Sequence, residues 1–492
     1  MTKHFHILTY GCQMNVYDSR VIASILSENG YKEINDEKNA DVIIVNTCSV
    51  REHAEQRAIG RIGDLQKFRK ENPNLLIGVV GCMAENQSLK AEKSKSLKGV
   101  DFMVGPSNYR ELPKIIENRK WKMENGKTDE LYSDIFPEPE KLDGLVRVPD
   151  FIGTPIPLYN SSAFVPVMRG CDNFCSYCIV PYVRGRARSR PTKDILKEIE
   201  LLASKGIKEI TLLGQSVNEY SYDGVSFPHL LRLIDRISHK IWWSGDYHLP
   251  EDSVPWIKFM TSHPKNMSQE LIDIVRDGKK ICEWIHLPMQ SGANEILENM
   301  GREYTKKEYL DWIYKIRSAI PEVSITTDIM VGFPGESETH FQETIKVVKE
   351  IRFDFAYMFK YSERPRTRAY NMLPEVSELT KSERLAKLIN IQNKITREKN
   401  SELIGTVQEV LVLGKSKRPV QMHNVSGGNS LYGRTRQNKM VVFDGKASPG
   451  DFVKVKIKGL RGWTLCGDPE MKAQTNFCQG KNKPRITRIP TN

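Results

Sequence analysis

Three segments in the first hundred residues share one pattern of apolar and polar positions. Each is an apolar run that ends in a cysteine and leads into a segment with helical spacing, at residues 5–12, 41–48 and 75–82. Short β-branched runs separated by crossovers of this length are typical of βαβ units with a parallel sheet. Right-handed crossovers bring successive strand ends to one edge, so we expect Cys12, Cys48 and Cys82 to lie together at the carboxyl edge of a Rossmann-like sheet.

These three cysteines have two interpretations. A single cysteine at the end of a strand is usually a small buried hydrophobe. Three at equivalent positions in consecutive units favour a shared site instead, and thiolates are the ligands that iron–sulfur clusters use. The sequence therefore predicts a three-thiol site at the edge of the first sheet.

Strand-like and amphipathic segments alternate through the middle of the chain. The predicted strands are 164–168, 209–213, 257–261, 284–287, 324–331 and 355–361. Six strand–helix units in this order favour a partial (β/α) barrel, in which reactive groups lie at the carboxyl ends of the strands. Glycines and small polar residues follow several of these strands, as expected where backbone amides and hydrogen bonds hold a ligand.

After a helical segment over 380–404, the last part of the chain has short strands at 407–413, 439–443 and 451–458. Alternation in the third strand puts Lys454, Lys456 and Lys458 on one face and apolar residues on the other. Residues 401–492 hold sixteen Lys and Arg against six Asp and Glu, in a chain whose net charge is +12. We interpret this region as a small antiparallel β-barrel that binds nucleic acid through its phosphates; a solvated sheet kept soluble by lysine is the alternative.

Composition divides the chain into five parts. The prediction is an N-terminal domain (1–120), a linker rich in Pro and Gly (121–160), the partial barrel (161–400), the small β-barrel (401–470) and a basic tail (471–492). Apolar stretches stay well below the roughly 18 residues of a membrane span. Polar His4 and His6 interrupt any apolar run at the N-terminus, so we expect a cytoplasmic protein in which cysteines bind metal rather than form disulfides.

A second group of cysteines lies within eight residues, at Cys171, Cys175 and Cys178. A structural zinc ion takes four protein ligands, and the nearest downstream histidine is His229. A disulfide with one spare thiol fits the spacing but not the expected compartment. Three thiolates on a four-iron cluster leave one iron open, so this spacing predicts a cluster that binds a further ligand.

Arginines alternate with small residues directly after this group, and the run includes Arg184 and Arg186. Charge runs are usually solvated. Because this one adjoins the predicted cluster, we consider two further roles, contact with a phosphate and positioning of the cluster loop.

Three motifs together resemble a known family. They are Gly-Cys-Gln-Met-Asn at 11–15, Asn-Thr-Cys-Ser-Val-Arg-Glu at 46–52, and Gly-Cys-Asp-Asn-Phe-Cys at 170–175 followed by Val-Pro-Tyr at 180–182. The whole chain is similar to the radical S-adenosylmethionine methylthiotransferases, which combine a methylthiotransferase domain, a radical S-adenosylmethionine partial barrel and a TRAM domain. Sister groups act on isopentenylated adenosine in tRNA, on threonylcarbamoylated adenosine in tRNA, or on an aspartate of a ribosomal protein. The Ser-Val-Arg-Glu after Cys48 resembles the first group.

The resemblance implies two [4Fe–4S] clusters, one on Cys12, Cys48 and Cys82 and the other on Cys171, Cys175 and Cys178, where S-adenosylmethionine binds the open iron. It also implies an alkylthio transfer to C2 of N6-isopentenyladenosine next to a tRNA anticodon, electrons from a flavodoxin- or ferredoxin-like donor, and a monomer. We expect S-adenosylmethionine contacts from Tyr177, Gly214, Gln215, Asn218, Ser262, Gln290, Asp328 and Gly332. We expect RNA contacts from Arg184, Arg186, Lys454, Lys456 and Lys458.

Two residues depart from the pattern of this group. Ala187 stands where a glutamate is usual, and Arg366 where a glycine is usual. An arginine predicts a negative φ angle, so we expect a different loop at 366. The alternatives to the proposed activity are the two sister activities and a non-enzymatic RNA-binding iron–sulfur protein.

Overall fold

The computed structural model describes residues 3–49, 52–86, 97, 99–125, 161–237, 255–416 and 430–470. Most of the predicted linker, the basic tail with Cys478, and Val50 and Arg51 of the second motif lie outside the described residues. None of the described helices is both long and apolar enough to cross a membrane.

The N-terminal domain is a five-stranded parallel sheet between two layers of helices. Its strands run in the order β2-β1-β3-β4-β5, and every pairing is parallel. The elements are β1 Lys3–Tyr10, α1 Gln13–Glu28, β2 Tyr31–Glu33, β3 Val42–Thr47, α2 Glu52–Leu65, β4 Leu76–Val80, α3 Cys82–Glu85, β5 Phe102–Val104 and α4 Leu112–Glu124. Helix α4 continues past residue 120, the predicted end of the domain, as far as Glu124.

Strand β3 shows why this sheet is doubly wound. All six of its residues are buried. Val42 and Ile44 pack in one apolar cluster with α1 and α4, whereas Ile43 and Val45 pack in the other with α2. Because side chains alternate along a strand, a continuous apolar run can fill both layers.

The middle domain is a partial barrel of six parallel strands. Two three-stranded sheets, β6-β9-β12 and β13-β14-β15, meet where Cys282 N donates to Ile257 O at 2.9 Å. The six barrel strands are β6 Ser162–Pro166, β9 Glu209–Leu213, β12 Trp256–Phe259, β13 Trp284–His286, β14 Ser324–Val331 and β15 Phe355–Lys360. Four short strands form two antiparallel pairs outside the barrel, β7 Met168–Arg169 with β8 Arg188–Ser189 and β10 Ser221–Tyr222 with β11 Val225–Ser226. The helices are α5 Val180–Arg184, α6 Thr192–Ser204, α7 Phe227–Asp235, α8 Gln269–Asp277, α9 Asn294–Asn299, α10 Lys306–Ala319 and α11 Glu338–Ile351. The prediction of six strand–helix units is confirmed.

A long helix, α12 Glu378–Ser401, leads into a closed five-stranded barrel. Its strands are β16 Val407–Lys415, β17 Ser430–Arg434, β18 Met440–Asp444, β19 Phe452–Arg461 and β20 Thr464–Pro469. The predicted small barrel is confirmed, although the sequence pattern missed β17 and β20. The pairing of β18 with β20 is parallel, so the barrel is mixed rather than wholly antiparallel.

The small barrel packs against the amino ends of the six-stranded barrel. Three acidic residues that begin or immediately precede barrel strands, Glu209, Glu283 and Asp354, mark this end. Basic residues approach them: Lys258 pairs with Glu209 and reaches Thr435 O at 3.3 Å, Arg436 meets Glu283 at 2.8 Å, and Lys439 meets Asp354 at 2.8 Å. Cys171, Cys175 and Cys178 lie at the opposite end of the six-stranded barrel, where its strands have their carboxyl ends.

Candidate functional site

The first three cysteines lie together, as the strand pattern predicted. Cys12 and Cys82 begin or immediately precede helices at the ends of β1 and β4, and Cys48 directly follows β3. A hydrogen bond with the Cys48 side chain lowers the pKa of Cys12 to about 6, and the charge of Arg184 acts in the same direction. Cys48 and Cys82 are each 1% exposed. We call these three residues the first triad.

Glycines allow this convergence. A Cβ on Gly11 would lie 2.8 Å from Cys48 Cβ. Gly81 has a φ of +94°, and a Cβ there would lie 2.5 Å from Asn46 Oδ1. Any larger residue before Cys12 or Cys82 would therefore force the strand ends apart.

A buried arginine from the barrel domain reaches the first triad. Arg184 Nε donates to Cys82 Sγ at 3.1 Å, and Arg184 Nη2 donates to Asp18 Oδ2 at 2.8 Å. The Arg184 side chain is 4% exposed and that of Asp18 is 0% exposed. Our prediction that Arg184 contacts RNA is wrong, because its guanidinium is enclosed between two domains. It instead places a fixed positive charge beside the thiols.

The second triad, Cys171, Cys175 and Cys178, occupies the loop after β7. Asn173 Nδ2 donates to Cys171 Sγ at 3.4 Å, and Cys178 N donates to Cys175 O at 2.9 Å. Burial raises the pKa of Cys178 to about 12, so this thiol ionises only with help from a nearby cation, as metal coordination provides.

Arg302, which the sequence analysis did not single out, donates from Nη1 to Cys175 Sγ at 3.3 Å. It follows α9 and is separated from Cys175 by 127 positions in the chain, so only the fold brings the two together. Each triad therefore has one buried arginine that donates to a cysteine sulfur.

The two triads adjoin each other. Helix α5 starts two residues after Cys178, and its residue Val183 packs with Ile179 and Cys82 in one apolar cluster. Each set has a hydrogen-bond donor to a cysteine sulfur, and neither has a fourth cysteine among the described residues. Both features fit a four-iron cluster that keeps one iron open. In the same described ranges no three His, Cys, Asp or Glu side chains surround a single metal ion. A four-iron cluster binds each thiolate through a different iron, so it spaces its ligands more widely than zinc does.

Polar residues after β12 lie at the rim of the barrel beside the second triad. Ser262 Oγ and His263 Nε2 are buried and lack a hydrogen-bond partner among the described residues. Burial, with the charges of Arg302 and Lys265, lowers the pKa of His263 to about 2, so its ring is neutral. Unpaired buried polar atoms are costly unless a ligand completes them, and this pair fits such a ligand.

The remaining candidates have mixed surroundings. The Asn218 amide donates to His263 O and accepts from His263 N, both at 2.8 Å, so it holds two strand-end loops together. Gln290 is 8% exposed with a φ of +65°, and Asp328 lies 3.5 Å from His286 Nε2. Gln215 follows β9 and is half-buried.

Three further candidates, Gly214, Gly332 and Tyr177, make close packing contacts. A Cβ on Gly214 would lie 2.6 Å from Met168 Cγ, and Gly332 has a φ of +73° against the stem of Lys381. The ring of Tyr177 packs edge-on against Phe333 at 6.5 Å.

The candidate RNA contacts other than Arg184 are accessible. The Arg186 side chain is 70% exposed, and Lys454, Lys456 and Lys458 are exposed along β19, while the residues between them face the barrel core. The alternation predicted for this strand is confirmed.

Three family models match separate parts of the chain. Residues 4–105 match the Uncharacterized protein family UPF0004, residues 165–348 the Radical SAM superfamily, and residues 402–469 the TRAM domain. Among solved structures, the radical S-adenosylmethionine methyltransferase TsrM from Kitasatospora setae superposes with a TM-score of 0.53 at 12% identity, over 87% of this chain and 79% of that one. This likeness concerns the fold.

Curated relatives match nearly the whole chain. A tRNA-2-methylthio-N(6)-dimethylallyladenosine synthase from Thermoanaerobacter pseudethanolicus is 43% identical over 94% of this chain and 92% of its own length. A protein of the same name from Carboxydothermus hydrogenoformans is 42% identical over 92% of this chain and 96% of its own length. With this identity and coverage, the chain belongs to the tRNA-2-methylthio-N(6)-dimethylallyladenosine synthase family.

Proposed function

We propose that this protein is an alkylthio transferase that converts N6-isopentenyladenosine beside a tRNA anticodon to its 2-methylthio derivative. The observation that carries this proposal is the pair of adjoining three-thiol sets, in a chain of this family. One set follows a strand of the radical S-adenosylmethionine barrel, and the other lies at the carboxyl edge of the N-terminal sheet. Two sites at one domain junction suit a reaction that must both activate a carbon and supply sulfur.

The residues divide this work as follows. Cys171, Cys175 and Cys178 would hold the cluster to which S-adenosylmethionine binds, and the first triad would hold a second cluster. When bound, these groups supply the radical that removes the hydrogen from C2 of the base and the methylthio group that replaces it. Ser262 Oγ and the neutral ring of His263 would offer hydrogen bonds to bound S-adenosylmethionine without adding charge. The C2–H bond is too weakly acidic for a side-chain base, so positioning is the main task of the protein.

The position of the TRAM barrel suggests how the RNA lies. The exposed lysines of β19 belong to a domain at the amino ends of the barrel strands, whereas both triads lie at the carboxyl ends. Strands of this length span roughly 20 Å at about 3.3 Å per residue. We propose that the tRNA extends along the side of the barrel, with its anticodon loop at the triads and a further part of the molecule on the lysines. A base in a loop can be turned out of its stack at modest cost.

We further propose, from the family resemblance, that the protein is a cytoplasmic monomer that receives electrons from a flavodoxin- or ferredoxin-like donor. Size measurement of the purified protein and reduction assays with each donor class test these points separately.

The activity is tested with anaerobically reconstituted protein, S-adenosylmethionine, sulfide, a reductant and tRNA that carries N6-isopentenyladenosine. Mass spectrometry of the digested tRNA is expected to show 2-methylthio-N6-isopentenyladenosine. Matched reactions contain tRNA with unmodified adenosine or with threonylcarbamoyladenosine. Product from the threonylcarbamoylated tRNA alone would assign the protein to the sister activity and contradict the proposal.

Replacing Lys454, Lys456 and Lys458 with alanine is expected to weaken tRNA binding and its salt dependence. The negative slope of log K against log salt should become shallower by about 2 to 3, since each of the three lost phosphate contacts removes about 0.7–0.9 from its magnitude. Cleavage of S-adenosylmethionine should be unchanged, because the lysines lie at the far end of the barrel. Point variants are preferred to removal of the domain, which would expose buried Trp256 and Lys258.

The matched control replaces three exposed lysines on the outer helices α10 and α11, Lys307, Lys346 and Lys349. Equal losses in both triple variants would mean that general charge, rather than this face, attracts the tRNA.

A further inference from the structure

Two aromatic rings and three arginines form an accessible surface beside the second triad. We propose that this surface binds a single-stranded segment of RNA next to the reacting base, a proposal that rests on the function proposed above. The members are Phe174, Tyr182, Arg186, Arg366 and Arg368, and we call them the arginine–aromatic platform. Phe174 lies inside the cysteine loop itself, so RNA held here is held against the reaction centre.

The rings and guanidinium groups are stacked. Phe174 and Tyr182 meet edge to face, with ring centroids 6.3 Å apart. Arg186 Cζ lies 5.1 Å from the centroid of Phe174, and Arg366 Cζ lies 5.6 Å from that of Tyr182. Both rings are half-buried and the three arginines are exposed, so the stacked groups remain open to a ligand.

Arg366 adopts an unfavourable backbone conformation in order to reach this place. Its φ is +77°, so our prediction of a negative φ for this arginine is wrong. Backbone in this region suits glycine, and for a residue with a Cβ it is strained. The turn does not need the guanidinium of Arg366, because Thr367 closes it with hydrogen bonds to Arg364 O from its N at 3.2 Å and its Oγ1 at 2.7 Å.

Strain that is kept at a functional surface is usually offset by what the side chain does there. The Arg366 side chain makes a stacking contact with Tyr182 and is otherwise exposed, so its contacts within the described part of the chain give no folding reason for an arginine at this position. A ligand is therefore the better explanation.

Arg368 connects the loop after β15 to the cysteine loop. Its Nη2 donates to Phe174 O at 3.1 Å, and Phe174 itself has a φ of +43°. The platform thus joins the cysteine loop with the loop after β15, and binding there would bear on both. Asp172 pairs with Arg186 Nε at 2.8 Å. Arg366 and Arg368 form no ion pair within the described residues, so their charges are available to a phosphate.

This combination fits single-stranded nucleic acid. Guanidinium groups bind phosphate oxygens in a planar, two-point geometry, and aromatic faces stack on bases of any sequence. The surface is too exposed and too rich in charge to suit an apolar partner. Its place beside the second triad suits the loop nucleotides that flank the target base.

The test is Arg366→Gly in the reconstituted full-length protein, with an anticodon stem-loop RNA as the probe. Fluorescence anisotropy over a range of KCl concentrations is expected to show a Kd that is about three- to tenfold higher. The negative slope of log K against log salt should become shallower by about 0.7. The Tm is expected to stay the same or rise, because glycine relieves the strain at φ +77°. Arg366→Lys should keep the salt slope but bind more weakly, since it retains charge without the planar group.

The control is Arg397→Ala, at an exposed arginine on α12 away from the platform, for which Kd and slope should not change. Unchanged RNA binding in Arg366→Gly together with an unchanged or higher Tm would overturn the proposal. Because the experiment measures RNA binding, its result does not depend on the proposed activity. If the unsubstituted protein formed no methylthio product but Arg366→Gly still weakened RNA binding, the platform would be supported and only the activity refuted.

Discussion

Replacing Cys171 with alanine is expected to abolish formation of 5′-deoxyadenosine, whereas replacing Cys48 is expected to spare it and stop methylthiolation. Cys171 belongs to the set in the barrel, beside the buried polar atoms Ser262 Oγ and His263 Nε2, which have no hydrogen-bond partner among the described residues. Cys48 lies in a different domain, at the end of β3. A reaction that needs both sets should therefore fail at different stages in the two variants.

The measurement is quantification of 5′-deoxyadenosine and of modified nucleoside from the same reaction. Cys282→Ala is the matched control, since Cys282 is as buried as Cys48 but packs with Trp256 and the TRAM strand β16, far from both sets. If Cys48→Ala also lost 5′-deoxyadenosine, the two sets would form one functional site and the division of labour would be wrong.

The Arg184→Met variant is expected to be the most destabilising change at the junction of the two domains. Removing one partner of a buried ion pair leaves the other charge uncompensated, which typically costs about 3–5 kcal/mol. Among the described residues, Asp18 would retain Arg169, at 3.9 Å, and the Tyr109 hydroxyl, at 3.5 Å. We therefore expect a loss of about 3 kcal/mol in the free energy of unfolding, near the lower end of that range.

Chemical denaturation of the cluster-free, reduced protein measures this loss without interference from iron. Arg186→Met is the control, two positions along the same run but 70% exposed, and it should change stability by less than about 0.5 kcal/mol. The double variant Asp18→Asn with Arg184→Met should recover part of the loss, because the unpaired charge is gone. Similar losses for Arg184→Met and Arg186→Met would contradict the buried pair.

Local patterns were enough to predict the scaffold of the site. The β-branched runs before Cys12, Cys48 and Cys82 specify strands, and the handedness of crossovers then requires their ends to meet. The same reasoning located the six barrel strands and the exposed lysine face of β19. The sequence pattern did not predict strands β17 and β20, because they are short, contain glycine and have too few apolar positions to show an alternating period.

The sequence by itself determined which cysteines converge, since their positions follow from strand periodicity and crossover geometry. It could not separate Arg184 from Arg186, because both belong to one charge run and only the approach of Asp18, 166 positions away, buries the first. Contact of Arg302 with Cys175, docking of the TRAM barrel at the amino ends of the strands and the positive φ of Arg366 were likewise decided by tertiary structure. All three features depend on distant parts of the chain, which exclude water from a side chain or hold its loop in place. Such long-range contacts produce no periodic pattern in the sequence.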